Sequence, residues 1–310
     1  MTELLIVIGG STASGKSALA ATLAARLDGV IVNADSQQLF RDLPILTARP
    51  TRAETDVIPH RLYGVLGPEE QPSVGRWQEL AEEALTAVRG ESRPAIVVGG
   101  SGLYLHALLR GIPEMPRIPE QLRSELRAWA ATCGAGQIHA RLSVIDPEMA
   151  TRLQPGDSQR LLRALEVRLA SGRSLLQWQA MEPRRLPVPG RVVGMALVPM
   201  PEVVVPRIHA RLETMLAEGA LREVGNLLAR RTDALRLPIA KVHGMRELAA
   251  VHRGSLPAER ALAEIAAQIR QYAKRQRTWF RHQLPELQPL ATTGEAENTL
   301  ALAETLLGTR

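Results

Sequence analysis

Short runs of apolar residues, bounded by glycine or polar residues, recur along the chain. They lie at 4–8 (LLIVI), 30–34 (VIVNA), 95–98 (AIVV) and 192–198 (VVGMALV). Stretches with helical spacing of apolar residues, such as 16–27 and 76–89, separate them. Continuous apolar strands that alternate with helices are typical of a parallel sheet covered by helices on both faces. The pattern therefore predicts an α/β fold.

The alternation stops in the middle of the chain. A segment that starts with PEMPRIPEQL and ends with a proline-rich exit at 183–189 has helical spacing only. We predict an all-helical domain at 113–190, inserted into a core formed by 1–112 and 191–310. Its helices are expected near 119–132 and 157–171, and the core is expected to end in helices at 202–218, 220–230 and 257–284.

Composition excludes several classes of protein. The chain has 310 residues and 45% hydrophobic content, enough for a folded globular protein. Cys133 is the only cysteine, which rules out an internal disulfide or a cysteine zinc cluster, and the histidines never fall at HxxxH spacing. No apolar stretch approaches the ~20 residues of a membrane span. Since MTELLIVIGG also lacks the features of a signal peptide, we expect a cytoplasmic protein without a membrane partner.

The positive charge is small and consists almost wholly of arginine. The net charge is +6, and lysine occurs only at Lys16, Lys241 and Lys274. A charge of this size predicts local basic strips, so any binding of nucleic acid must be argued from particular helices.

A glycine-rich loop follows the first apolar run. GGSTASGKS fits the phosphate-loop pattern GxxxxGK[ST] as Gly10, Gly15, Lys16 and Ser17, between a predicted strand and a predicted helix. Glycines let backbone N–H groups converge on phosphate oxygens, the lysine neutralises charge and the serine hydroxyl can ligate Mg²⁺. The loop thus predicts a P-loop NTPase-like sheet with Mg²⁺ as cofactor and Ser17 as its ligand, but it does not identify the group attached to the phosphates.

Two more polar segments follow predicted strands. In a parallel sheet these segments open onto the edge that carries the phosphate loop. Asp35, in the segment DSQQ, could be a Mg²⁺ ligand, a base acting on a second substrate or the N-cap of a helix. Ser101, in GGSGLY, could bind a substrate or simply belong to a strand-to-helix turn.

Two predicted helices carry basic strips. In 257–284 one face has Arg270, Lys274, Arg277 and Arg281, and the packing face has Leu262, Ile265, Ile269, Tyr272 and Trp279. In 157–171, Arg160 and Arg163 are neighbours on the helix surface. Such a strip can be a merely solvated face, but together with the glutamines and aromatic residues beside it this pattern makes a nucleic acid a candidate partner.

Five motifs in order resemble those of the tRNA dimethylallyltransferase family, along nearly the whole chain. The segments are GGSTASGKS, ADSQQLFR, VGGSGLYLHAL, GDSQRLLRALEV and QYAKRQRTWFR. This resemblance implies transfer of a dimethylallyl group from dimethylallyl diphosphate to N6 of the adenosine immediately 3′ of the anticodon. The helical insertion would grip the anticodon stem-loop, and we expect the protein to act as a monomer.

The resemblance also implies roles for individual residues. Asp35 and Ser101 would be catalytic. The diphosphate would be bound by Gly10, Ser11, Thr12, Ala13, Ser14, Gly15, Lys16, Ser17 and Arg211. The tRNA would be bound by Asp35, Ser36, Gln37, Gln38, Ser101, Arg123, Gln159, Arg160, Leu161, Leu162, Arg163, Lys241, Val242, His243, Gly244, Met245, Arg246, Lys274 and Arg277.

Some positions depart from the family pattern. Ser11 replaces a proline, Phe40 a tyrosine and Gly156 an asparagine, and His243 and Met245 stand in a segment that usually reads AIGYKE. These changes remove no catalytic group, but they put individual tRNA contacts in doubt.

Two other functions are compatible with parts of the sequence. A kinase of a small metabolite would use the phosphate loop for ATP and Asp35 as a base, but it leaves the basic helix at 257–284 unexplained. An RNA-binding protein with an inactive nucleotide fold would not need Lys16, Ser17 and Asp35 to be intact.

Overall fold

Two compact units make up the chain. The computed structural model describes residues 4–186, 188, 190–290 and 296–308, apart from the side chains of 296–299 and 302. The first unit combines Met1–Leu109 with Leu186–Arg310, and the second is Arg110–Arg185. The sequence places the insertion at 113–190, whereas the second unit begins at Arg110 and ends at Arg185. Residues 187 and 189 of the proline-rich exit lie outside the described residues.

A parallel sheet forms the centre of the first unit. Its strands are β1 (Leu4–Gly10), β2 (Val30–Asn33), β3 (His60–Arg61), β4 (Ala95–Gly99), β5 (Arg191–Leu197) and β6 (Gln288–Leu290). Their order across the sheet is β3-β2-β4-β1-β5-β6, and every pair of neighbours is parallel. The predicted parallel α/β fold is confirmed.

Helices cover both faces of this sheet and build the second unit. They are α1 (Lys16–Leu27), α2 (Arg52–Val57), α3 (Val74–Gly90), α4 (Gly102–Arg110), α5 (Glu120–Thr132), α6 (Ala135–Ile145), α7 (Pro147–Arg152), α8 (Ser158–Ser171), α9 (Leu175–Gln179), α10 (Pro201–Glu218), α11 (Ala220–Arg230), α12 (Met245–His252), α13 (Ala258–Gln283) and α14 (Ala296–Leu307). No helix in the described ranges is long and apolar enough to cross a membrane.

Burial on both faces explains why the strands read as unbroken apolar runs. Along β1, Leu5 and Val7 join one hydrophobic core, whereas Ile6 and Ile8 join the core on the opposite face. Successive side chains of a strand point to opposite faces, so a sheet packed on both sides needs an apolar residue at every position.

The second unit has a core of its own. Side chains from α5 to α9 form it, and Ile138, Leu142, Leu161 and Leu165 are almost fully buried there. Since none of these residues belongs to the cores of the first unit, the helical segment has the cluster of buried apolar side chains that an independent domain requires.

Trp77 of α3 fastens the end of β2. Its side chain is fully buried, and its Nε1 donates a hydrogen bond of 2.9 Å to the carbonyl oxygen of Asn33. The indole also stacks on the Tyr104 ring, with 4.8 Å between centroids. Trp77 therefore fixes the backbone of Asn33, the last residue of β2, two positions before Asp35.

We expect Trp77→Phe to lower the free energy of unfolding by about 1–3 kcal/mol, because it leaves the buried Asn33 carbonyl without its donor. Urea denaturation followed by circular dichroism measures this loss. Trp178→Phe is the matched control: its Nε1 donates to Ser171 Oγ at a half-buried site, where water can replace the bond. Equal losses in the two variants would contradict the anchoring role.

Candidate active site

Three loops meet at the edge where β1, β2 and β4 end. They are the phosphate loop at 10–17, the segment 35–38 after β2 and the segment 100–101 after β4. Two backbone hydrogen bonds join the last two: Ala34 N–H donates to the Val98 carbonyl (2.8 Å) and Ser101 N–H donates to the Ala34 carbonyl (3.1 Å). Parallel strands thus bring together segments that are far apart in sequence, as the sequence predicts.

The phosphate loop has the backbone conformation that its glycines allow. Gly10 and Gly15 have φ angles of 155° and 91°, and a Cβ on Gly10 would lie 2.3 Å from the Leu197 carbonyl oxygen. Helix α1 begins at Lys16, so the N–H groups of its first turn have no intrahelical acceptors and are available to an anion.

Lys16 is buried inside this loop. Its Nζ donates a hydrogen bond of 3.2 Å to the Ser11 carbonyl oxygen, and 9% of the residue is exposed. Burial lowers the pKa of Lys16 to about 8, the negative charge of Asp35 acts against that shift, and the positive charge of Arg211 adds to it. The charges of Asp35 and Arg211 thus act on the Lys16 ammonium in opposite directions.

Asp35 is held by its own backbone neighbours. Its N–H donates to Asn33 Oδ1 (2.8 Å), and its Oδ1 accepts a bond from the Gln37 N–H (3.0 Å). This turn orients the carboxylate and leaves Oδ2 without a hydrogen-bond donor among the described residues. No helix follows this turn directly, so Asp35 is not the N-cap of a helix. Its free Oδ2 can accept a bond from a ligand or contact a metal ion.

Ser101 connects two of the loops. Its Oγ accepts a hydrogen bond of 2.9 Å from the Ser36 N–H. Burial raises the pKa of the nearby Tyr272 hydroxyl, and Ser101 acts against that rise. The predicted catalytic role of Ser101 stays a prediction, and the observed contacts place it as a bridge beside Asp35.

A cavity opens between the loops and the helices that follow β5. Its polar wall contains Thr12, Ala13, Asp35, Gln37, Gln38, Thr47, Arg211, His243 and Tyr272. Its apolar wall contains Leu46, Ile208, Leu212, Met215, Ile265 and Ile269. Part of the face of α13 that the sequence assigns to packing thus lines the cavity, and the cavity has a polar side and an apolar side.

Helix α10 supplies two arginines. Arg211 lines the cavity, and its NH2 donates to the Thr47 carbonyl (3.5 Å). Burial lowers the pKa of Arg211, and the charge of Asp35 acts in the opposite direction. Arg207, one turn earlier, has NH1 4.0 Å from where a Cβ on Gly15 would stand. No motif indicates Arg207, although its spacing of four residues from Arg211 is a usable signal in the sequence.

Glu223, a residue that no motif in the sequence indicates, fixes the loop at 45–47 that forms part of the cavity wall. Its two carboxylate oxygens accept hydrogen bonds from Ile45 N–H (2.8 Å) and Leu46 N–H (2.9 Å). Burial raises the pKa of Glu223, while these two bonds lower it. Next along this loop, the Thr47 carbonyl accepts a bond from Gln38 Nε2 (3.1 Å), so Glu223 holds the wall against the candidate site.

The segment 241–246 reaches the same site through one backbone bond. The N–H of His243 donates to Gln37 Oε1 (3.1 Å), and the His243 ring packs against the Tyr272 ring with 4.9 Å between centroids. Burial lowers the pKa of His243, although the charge of Asp35 raises it. Val242 and Met245 are core residues, so the exposed side chains of this segment are those of Lys241 and Arg246.

The predicted basic strip lies on α13 at the surface of the first unit. Arg270, Lys274 and Arg281 are exposed and Arg277 is half-buried. The predicted tRNA contacts Lys274 and Arg277 therefore have accessible side chains on the helix whose opposite face lines the cavity.

The remaining predicted tRNA contacts belong to the second unit. Arg123 pairs with Glu120 on α5, at 3.1 Å, and Arg160 pairs with Asp157 at the start of α8, at 3.4 Å. Gln159 is exposed, Leu162 and Arg163 are half-buried, and Leu161 is fully buried in the helical core. The side chain of Leu161 cannot face a ligand, so a contact by this segment would fall to its exposed neighbours.

The donor set for Mg²⁺ is sparse. Within the described residues no group of three or more His, Cys, Asp or Glu side chains could hold a metal ion. Ser17 is exposed at the second position of α1. Because Mg²⁺ keeps several waters and is commonly held by one or two protein oxygens plus substrate phosphates, a single hydroxyl in the phosphate loop fits such an ion.

Comparison with known proteins gives consistent matches. The model of the IPP transferase family matches residues 38–283. A tRNA dimethylallyltransferase of Azorhizobium caulinodans is 48% identical over 283 residues, which are 91% of this chain and 90% of the relative. The enzyme of the same name from Rhodospirillum centenum is 47% identical over 284 residues, with the same two coverages.

Solved structures of similar fold agree. The tRNA isopentenylpyrophosphate transferase of Bacillus halodurans has a TM-score of 0.68 and 29% identity, covering 99% of this chain and 96% of that one. A eukaryotic dimethylallyltransferase acting on tRNA has a TM-score of 0.79 at 24% identity, covering 100% of this chain and 80% of that one, and supports the fold. Taken with the family model that matches most of the sequence, these relatives show that the chain belongs to the IPP transferase family.

Proposed function

We propose that this protein is a tRNA dimethylallyltransferase. It transfers the dimethylallyl group of dimethylallyl diphosphate to N6 of the adenosine immediately 3′ of the anticodon and releases diphosphate. The observation that carries the proposal is the cavity, which joins a phosphate loop, a carboxylate and an apolar wall in one space. The relatives named tRNA dimethylallyltransferase, which match about nine-tenths of the chain, support the same reaction.

The donor has two chemically different ends, and the site has a surface for each. The diphosphate lies against the N–H groups at the start of α1, with Lys16 and Arg211 neutralising its charge. The five-carbon group lies along the apolar wall, which includes Leu212 and Ile269. The loop therefore holds the group that leaves, and no phosphoryl group is transferred.

Departure of diphosphate requires stabilisation of the negative charge that develops on it. Backbone N–H groups, Lys16 and Arg211 are fixed in place before the reaction, so they stabilise that charge without reorganising. A Mg²⁺ ion held by Ser17 and the diphosphate would add a positive charge on the leaving-group side.

The acceptor amine needs activation, because its lone pair is delocalised into the adenine ring. Asp35 accepts a hydrogen bond from this amine through Oδ2, while Oδ1 stays bonded to the Gln37 N–H. Withdrawing a proton as the new C–N bond forms raises the nucleophilicity of the nitrogen. Extruding the base from the stacked anticodon loop costs about a few kcal/mol. Contacts from the segments 35–38 and 241–246 offset that cost.

The tRNA is bound by accessible basic residues of both units, with the protein acting as a cytoplasmic monomer. In the first unit, Lys274 and Arg277 contact phosphates of the tRNA. The helical unit binds the anticodon stem-loop through residues such as Arg123 and Arg160. To bind, Arg123 and Arg160 have to leave their partners Glu120 and Asp157. Because contacts with phosphates release counterions from the RNA, binding should weaken steeply with salt.

The kinase alternative explains less of the site. A γ-phosphoryl acceptor is a polar molecule, whereas the wall opposite the phosphate loop is formed by aliphatic side chains such as Ile208 and Met215. The curated relatives share one name, and that name describes transfer of a dimethylallyl group.

One assay separates these functions. Unmodified tRNA is incubated with the protein and either labelled dimethylallyl diphosphate or γ-labelled ATP. We expect label from the prenyl donor in RNA and none transferred from ATP. Phosphoryl transfer to a small molecule, or RNA that stays unlabelled by the prenyl donor, would overturn the proposal.

We expect Asp35→Asn to lower kcat at least about 100-fold, since an amide cannot accept the proton of the amine. The affinity for inorganic diphosphate should stay the same or increase, because a negative charge near Lys16 and Arg211 is lost. Steady-state kinetics and calorimetry measure the two effects. Asp42→Asn is the matched control, since Asp42 pairs with Arg230 at the surface. A kcat equal to that of the control would remove Asp35 from the mechanism.

We expect the affinity for inorganic diphosphate to fall as the pH rises through about 8, the pKa to which burial lowers Lys16. Below that pH the ammonium is charged and available to the anion, and above it binding has to take up a proton, with a loss approaching about tenfold per pH unit. Calorimetry between pH 6.5 and 9.5 measures this change.

Lys16→Arg provides the control, because a guanidinium stays charged throughout this range. Its dissociation constant should keep only the pH dependence of diphosphate itself, even if its affinity is lower. If the native protein and Lys16→Arg had the same pH profile, Lys16 would not titrate in the binding step.

A further inference from the structure

A buried glutamine lies in the middle of α13, on the side opposite the basic strip. Only 4% of Gln276 is exposed, although it is adjacent in sequence to Arg277 and two positions from Lys274. A buried carboxamide is costly unless its donors and acceptor are bonded, so its partners show what it does.

Gln276 bonds to two loops of the candidate active site. Its Oε1 accepts a hydrogen bond of 2.8 Å from the N–H of Thr12, in the phosphate loop. Its Nε2 donates one of 2.8 Å to the carbonyl oxygen of Gly100, after β4. The orientation of the amide is fixed by these partners, because the reverse orientation would oppose two donors and two acceptors.

A third contact extends the network to the cavity wall. Tyr272 lies one turn earlier on α13; burial raises the pKa of its hydroxyl, and interactions with the Ser101 and Gln276 side chains act against that rise. The Gln276 amide fits beside residue 100 because Gly100 has no side chain. A Cβ there would lie 2.2 Å from Gln276 Nε2. The close approach requires glycine at this position.

We propose that Gln276 is a positioning residue for the diphosphate, a role that rests on the function proposed above. It holds the Thr12 backbone so that the N–H groups of the following residues, 13–17, face the anion, and it ties the phosphate loop to the helix that carries Lys274 and Arg277. The N–H of Thr12 is used by this bond, so the anion is held by the loop beyond Thr12.

The proposal is tested with Gln276→Met, which keeps the size of the side chain and removes both hydrogen bonds. Gly100→Ala tests it independently, because the added methyl group displaces the amide while leaving Gln276 unchanged. The matched control is Gln78→Met: Gln78 is also buried and donates to a backbone carbonyl, that of Ala107, at 3.4 Å.

For each variant we measure kcat, the KM values for dimethylallyl diphosphate and tRNA, the Kd for inorganic diphosphate and the Tm. We expect KM for the donor and Kd for inorganic diphosphate to rise about tenfold in both test variants, since the loop loses the acceptor that fixes it. The KM for tRNA should change less than twofold, and kcat should fall less than KM rises. Gln78→Met should lower Tm and leave both diphosphate constants unchanged.

Unchanged diphosphate constants in both test variants would overturn the proposal, even if Tm fell, because Gln276 would then be merely structural. If Gln276→Met does not fold, Gly100→Ala decides the matter alone. A native protein that transfers no prenyl group would contradict the proposed function. The Kd for inorganic diphosphate would still test Gln276 in that case.

Discussion

The site depends on one constraint, the parallel alignment of strands that are buried on both faces. Because β1, β2 and β4 run in the same direction, their carboxyl ends bring residues near positions 10, 35 and 100 to one edge of the sheet. Hydrogen bonds between backbones then fix the spacing of these loops, as in the bond from Ser101 N–H to the Ala34 carbonyl. The loops themselves need little internal structure, since the sheet determines where each of them starts.

Features with a local signal could be predicted from the sequence. The four longer strands and helices such as α1, α8 and α13 lie within two residues of their predicted limits, because continuous apolar runs and helical periodicity encode them directly. Strands β3 and β6 cannot be predicted from the sequence, because two or three residues are too few to form a recognisable hydrophobic pattern. Their pairing is decided by the neighbouring strand and not by their own composition.

The candidate site divides in the same way. Phosphate-loop residues and Asp35 carry a motif or follow a predicted strand, so reasoning from sequence can find them. Gln276 and Glu223 act through hydrogen bonds to residues that are as far as 264 and 178 positions away in the sequence. No periodicity encodes such a contact, and a glutamine in a basic helix looks like one more polar surface residue until the fold shows it buried. Residues that position a catalytic group are the hardest to read from one chain.

The bond from Lys16 to the Ser11 carbonyl affects both the stability of the fold and the affinity of the loop for an anion. The ammonium loses most of its water when the chain folds, and a backbone oxygen occupies the place that a phosphate oxygen can take later. Little water then has to be removed from the ammonium when an anion binds. The cost of dehydrating Lys16 therefore lowers the stability of the folded state and does not lower the affinity for the anion. The phosphate loop is therefore a region where lower stability of the fold accompanies tighter binding of the anion.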